Sequence, residues 1–144
     1  MQDQNYKNHS RLVPLYHGVL YLAIIIGIGF STSNLVHAYH RQSGRTVAAL
    51  LLLAFLVSAL ATVFARLFPL KAQDRAIRAE ENLRYFSITG KLLDPRLSIG
   101  QVIALRFAPD EELVALAKLA AEQNLKPADI KKAINNWRAD HHRV

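Results

Sequence analysis

The chain of 144 residues contains no cysteine. That excludes disulfides, thiolate metal sites and cysteine nucleophiles. It also lacks GxGxxG, a phosphate-binding GxxxxGK[ST] loop, GxSxG and HExxH, the commoner signatures of dinucleotide, nucleotide, acyl-transfer and zinc chemistry. No strand-like alternation, internal repeat or low-complexity tract is present. Charge is missing from two stretches. No Asp, Glu, Lys or Arg occurs between Arg11 and Arg41, and none between Arg45 and Arg66. Each gap holds about 20 apolar residues, the number that spans a hydrocarbon layer of roughly 30 Å.

What is present follows from those gaps. The pattern predicts an all-α protein: a two-helix transmembrane hairpin, a long juxtamembrane amphipathic helix, and a small helical bundle. Residues 1–11 form a cytoplasmic N-terminal arm, residues 12–68 the hairpin, and residues 69–144 a cytoplasmic helical domain. The spans are expected at 13–36 and 46–68, with 38–45 as their connection. A signal peptide is the rival for the first span. Its apolar core is shorter, about 7–15 residues, and ends at a small-residue cleavage site. Leu12 to Val36 is longer and has no clear Ala-x-Ala site.

Pro14 suits a helix start, where the first N–H groups have no intrahelical partner. Tyr16, His17 and Tyr21 cluster where rings favour the headgroup region. Small residues recur at helical spacing in both spans: Ala23, Gly27 and Ser31 in the first, Ala54, Ser58 and Thr62 in the second. Lipid offers no hydrophobic drive for helix pairing, so close approach through small residues is the usual solution. These two faces are expected to meet.

Orientation comes from the basic flanks. Lys7 and Arg11 precede the first span; Arg66, Lys71, Arg75, Arg78 and Arg84 follow the second. The connection has only Arg41 and Arg45. Both termini are therefore expected in the cytoplasm, with His37 and His40 near the far surface.

Beyond Pro69, where the helix is expected to bend or restart, the pattern becomes amphipathic from Lys71 to Thr89. Ala76, Ile77, Leu83 and Phe86 form its apolar side, with Asp74–Arg78 and Glu80–Arg84 as i,i+4 pairs. Lys71, Arg75, Arg78 and Arg84 are candidate contacts to an anionic surface; a solvated face is the plainer reading. Asp94-Pro95 marks a turn. Ser98 with Gln101 makes a capping box. Pro109 followed by Asp110, Glu111 and Glu112 opens the next helix, where acids suit the positive helix end. Asn124 ends it. Pro127 and Asp129 open the last helix, with Ile130, Ala133, Ile134 and Trp137 as its stripe. Trp137 is read as core rather than as a partner anchor. A bundle of this size is near the lower limit for folding alone, so it is expected to lean on a partner, a helix or the membrane surface.

Catalysis and metal binding find little support. His37 and His40 are three apart but have no acid near them in sequence. His141 and His142 could meet His9 if both termini share one side. Asp110 to Glu112 are explained by helix polarity. The mid-span regions carry no ionisable group of the kind that marks ion pathways and proton relays. No catalytic residue, cofactor or metal site is assigned.

Asn5 to His9 before Val13 to His17, Ala65 to Phe68 running into Lys71 to Arg78 and Glu80-Glu81, Ile103 to Ala108 followed by Asp110 to Leu113, and Ile130 to Ile134 with Trp137-Arg138 form a recognisable set. Together they make the chain resemble a family of small bacterial two-span membrane proteins of unknown function. Pro109 and Lys126 depart from the small polar caps expected there. The resemblance implies a multi-pass protein of a bacterial inner membrane and supplies no activity. The expected role is that of a non-enzymatic accessory or scaffold protein, an accessory subunit that docks another membrane protein or a second copy through the cytoplasmic domain, with membrane lipids around the hairpin. The alternative is a binder of anionic lipid or RNA through the basic juxtamembrane helix. The interleaved charges of the domain, 13 basic and 10 acidic residues after Phe68, argue against a nucleic-acid stripe.

Overall fold

The computed structural model describes residues 5–6 and 13–140. Among these the chain is all-α. A π-helical segment, Leu15–Leu20, leads into α1, Tyr21–Arg41. Then come α2, Arg45–Thr89; α3, Ile99–Leu105; α4, Asp110–Gln123; and α5, Pro127–Ala133. The segment Leu15–Arg41 and α2 are long and apolar enough to cross a membrane. The chain divides into two compact units, Leu12–Phe68 and Pro69–Val144, the second joined by Met1–Arg11.

In the first unit the helix outlasts the predicted span, reaching Arg41 rather than Val36. The eight-residue connection shrinks to Gln42, Ser43 and Gly44. Gln42 takes the left-handed conformation at φ 57° and donates back to Ala38 and Tyr39. Ser43 N–H also donates to the Ala38 carbonyl, at 3.3 Å. These bonds satisfy the last carbonyls, which is why the polar residues His37 to Arg41 stay helical. Gly44, at φ 73°, completes the reversal.

The hairpin seam is set by one glycine. Phe55 lies directly over Gly27, where any Cβ would collide with its ring. Ser31 and Ala38 on α1, and Ala48 on α2, are buried. The Tyr16 hydroxyl donates to the Thr62 carbonyl across the pair. The second apolar helix presents Ala48, Phe55 and Thr62 to the first; of the residues expected to pair, Gly27, Ser31 and Thr62 lie in the seam. Ala54, Ser58 and Ala23 are exposed. The correction has a physical reason: a glycine notch accepts an aromatic ring, so small residues need not face small residues. Ser58 and Thr62 return their hydroxyls to the Ala54 and Ser58 carbonyls, each at 2.8 Å.

The expected separate juxtamembrane helix is the C-terminal part of α2, which contains Pro69. Proline there removes only the N–H that would bond the Ala65 carbonyl, and the helical pattern persists on both sides. Gly90, at φ 70°, ends α2, its N–H donating to Phe86 at 2.8 Å.

In the second unit the capping box forms as read. Gln101 N–H donates to Ser98 Oγ at 3.3 Å, and Ser98 N–H to Gln101 Oε1 at 2.7 Å. The Gln101 amide is buried and also reaches the Leu125 carbonyl at 2.8 Å, tying α3 to the loop before α5. Asn124, left-handed at φ 48°, ends α4. The core is built on Phe107, Leu105, Leu113, Leu97, Val102 and Ile130. The last helix is shorter than its stripe suggested: Ile134 is extended, at ψ 121°. The Glu112 carboxylate accepts from the Asn135 and Asn136 N–H groups, each at 3.0 Å, and so caps the chain as it leaves α5. Trp137 still reaches the core from this extended segment, 4.9 Å from the Phe107 ring. The Arg138 N–H donates to the Phe107 carbonyl at 2.8 Å.

The seam makes a paired prediction. Gly27→Ala pushes Phe55 aside and should lower thermal stability in mild detergent by about 1–3 kcal/mol. Gly29→Ala, which meets nothing within 4 Å, should leave it unchanged.

Candidate functional site

Charge organises the interior of the second unit. Glu81 on α2 is 5% exposed. It pairs with Arg84 at 3.0 Å and Arg138 at 3.7 Å. Arg84 also reaches Asp110, at 2.6 Å, and donates to the Ala108 carbonyl at 2.8 Å. Arg106, buried, pairs with Asp140 at 3.0 Å. A cavity of about 550 Å³ opens beside this network, walled by Gln73, Ala76, Ile77 and Glu80 of α2 and by Arg106, Arg138 and Asp140. Of its charged wall residues, Arg106 pairs with Asp140 and Arg138 with Glu81, while Glu80 joins no ion pair among the described residues.

This network removes half of the expected anionic-surface contact. Arg84 is held by Glu81 and Asp110, and Arg78 donates to the Leu97 carbonyl at 3.4 Å. Lys71 and Arg75 remain exposed. The expected i,i+4 pairs Asp74–Arg78 and Glu80–Arg84 are not among the ion pairs of the described residues. Arg84 finds Glu81, one turn back at i−3, because that carboxylate is buried against the domain while Glu80 is exposed at the rim of the cavity.

The His37 ring donates from Nδ1–H to the Ser33 carbonyl at 2.8 Å, within its own helix turn. His40 is exposed. Three or more potential metal ligands do not gather anywhere among the described residues. His9, His141, His142, Lys7 and Arg11 lie outside the described residues. Asp110 and Glu111 are exposed at the start of α4, and Glu112 is engaged as a cap.

The feature that the sequence reading blended is the outer side of α2. Ala76, Ile77, Leu83 and Phe86 appeared to share one face. The structure divides them: Ile77 is buried with Glu81 toward the domain, whereas Ala76, Leu83 and Phe86 are exposed, Leu83 by 69% and Phe86 by 50%. Leu92, just past the helix, is also exposed. The signal for the division was available as two interleaved spacings: Ile77–Glu81–Tyr85 on one side, and Ala72–Ala76–Ala79–Leu83–Phe86 on the other.

A family model described as a family of unknown function, DUF6526, matches residues 1–144. The chain belongs to this family. No curated protein and no solved structure matches it. The family carries no assigned activity, so the reading of the DUF6526 chain rests on its own surfaces.

Two measurements test the charge network. Glu81→Ala leaves the half-buried Arg84 and Arg138 with one carboxylate fewer and should cost about 1–3 kcal/mol. Asp110→Ala removes a carboxylate that is 65% exposed and should cost less than about 1 kcal/mol. Chemical denaturation of the full chain in detergent separates them. Asp94 gives a pH test. Hydrogen bonds from the Arg96 side chain and then its backbone N–H hold the Asp94 carboxyl down to about 2, against an ordinary 3.8. A lowered folded-state value stabilises above the ordinary range, and the contribution fades as pH falls from about 4 toward 2. NMR titration should place the midpoint near 2, and Arg96→Ala should return it toward the ordinary value.

Proposed function

We propose that this protein is a non-enzymatic accessory or scaffold protein of a bacterial inner membrane. The hairpin is its anchor, with both termini cytoplasmic, and the helical domain docks a partner. The anchor is supported by two apolar helices whose large side chains turn outward: Leu15, Ile25, Phe30, Val47 and Leu50 are all more than half exposed. Water does not tolerate a surface of that kind, and lipid does.

Docking is carried by one observation. The domain closes its own core around Phe107 yet leaves Leu83 and Phe86 uncovered one turn apart on α2. Scattered exposed hydrophobics are ordinary. Two at i and i+3, on the side of a helix turned away from its own domain, form a contact surface. The anionic-lipid or RNA alternative rests on Lys71, Arg75, Arg78 and Arg84 with Lys131 and Lys132; Arg84 and Arg78 are engaged within the domain, and it is the weaker reading.

The test uses the full chain extracted from native membranes in mild detergent. The wild type should migrate as a complex larger than the monomer, and the complex should persist in high salt because an apolar contact holds it. Leu83→Asp with Phe86→Asp should reduce it to monomer while the hairpin stays inserted. A wild type that is already monomeric in intact extracts overturns the docking role. A complex lost on raising salt favours the phosphate-binding alternative.

A further inference from the structure

We infer that the occupant of the exposed side of α2 is a second copy of this chain, and that the two helices pair in parallel about a two-fold axis. The inference rests on the docking reading and names its partner. Ala72, Ala76, Ala79, Leu83, Phe86 and Gly90 follow one another at spacings of four and three, and every one of them is exposed. That is the seam of a two-stranded coiled coil, in which apolar residues alternate at these spacings. Seven charged residues occur from Lys71 to Arg84, and none occupies a seam position. The opposite side of the helix, with Ile77 and Glu81, is taken up by the chain's own domain. A helix at 3.6 residues per turn thus carries an inner face already used and an outer face with the periodicity of self-pairing, with Ala76 and Glu80 at the border beside the cavity.

Charge complementarity selects the partner. The residues that flank such a seam meet across the pair, each preceding-flank residue facing the following-flank residue five positions on in the other helix. Here those positions are Arg75 and Glu80, both exposed and neither in an ion pair within the described chain. In a parallel pair Arg75 of each copy meets Glu80 of the other, twice by symmetry. The next flanking pair, Asn82 with Ser87, is neutral, so no like charges oppose. In an antiparallel pair flanking positions meet their own kind, and this match is lost.

Membrane anchoring supplies the same geometry. Two copies inserted by the same hairpin carry α2 in the same direction. The cytoplasmic seam covers fewer than the three to four heptads that mark a stable coil in water. Confinement to one membrane raises the effective concentration and compensates for that short length.

The cysteine-free chain permits a direct test in native membranes. Single variants Ala79→Cys on the seam and Lys118→Cys on exposed α4 are oxidised and scored for covalent homodimer. Ala79→Cys should give several-fold more dimer than Lys118→Cys. Adding Arg75→Glu should lower the dimer about five-fold, from two exposed pairs of surface-bridge strength, and adding Glu80→Arg to that variant should restore it. Dimer at Ala79→Cys no greater than at Lys118→Cys overturns the inference, as does failure of the charge reversal to restore it. If a mild-detergent complex exists but Ala79→Cys does not link to itself, the docking role stands with a different protein and self-pairing is excluded. If no complex exists at all, both fall.

Discussion

The half-buried guanidinium of Arg84, paired to the buried Glu81, is the constraint on which the helical domain depends. It joins Glu81 on its own helix to Asp110 at the start of α4, and it bonds the Ala108 carbonyl on the way. Glu81 in turn reaches Arg138 in the extended tail. One charge pair thus pins three segments that a small apolar core alone would hold weakly. Buried pairs of this kind add less stability than their geometry suggests, because desolvation offsets the attraction. Their value here lies in register: only one rotation of α2 brings Glu81 and Arg84 inward together.

That rotation decides everything on the outside of α2. With Ile77, Glu81 and Arg84 turned inward, Ala72, Ala76, Ala79, Leu83 and Phe86 must turn outward, since a straight helix cannot face both ways. The outward stripe is therefore a consequence of the internal ion pair rather than a separate design. The same rotation takes Arg84 and Arg78 away from solvent and leaves Arg75 and Lys71 on the surface. An electrostatic role for this helix draws on its basic residues and an apolar docking role on Leu83 and Phe86; the rotation engages two of the former within the domain and leaves both of the latter exposed.

The hairpin follows a different logic. Its seam is a matter of shape: Gly27 receives Phe55, and Tyr16 caps the Thr62 carbonyl from the far end of the pair. For two apolar helices long enough to cross a membrane, fit and hydrogen bonding are what lipid would leave to pair them.

Much of this was readable in the order of residues. Two uncharged runs bounded by arginines are long enough for two spans, and a helix is the form in which such a run satisfies its own backbone. The Ser98–Gln101 box, the Asn124 terminus and the Pro127 start are local chemistry, decided within a turn of chain, and they stand where local chemistry puts them. What sequence could not decide was rotation and partnership. Whether Ala54 or Phe55 meets the first span, whether Glu80 or Glu81 meets Arg84, and whether Trp137 enters the core on a helix or on an extended tail all depend on atoms distant in the chain. Neighbouring residues on a helix are 100° apart, so a choice between adjacent positions changes no local energy and inverts which face is buried. Only the packed structure, where Phe55 has a notch to fill and Glu81 a second arginine to meet, makes that choice.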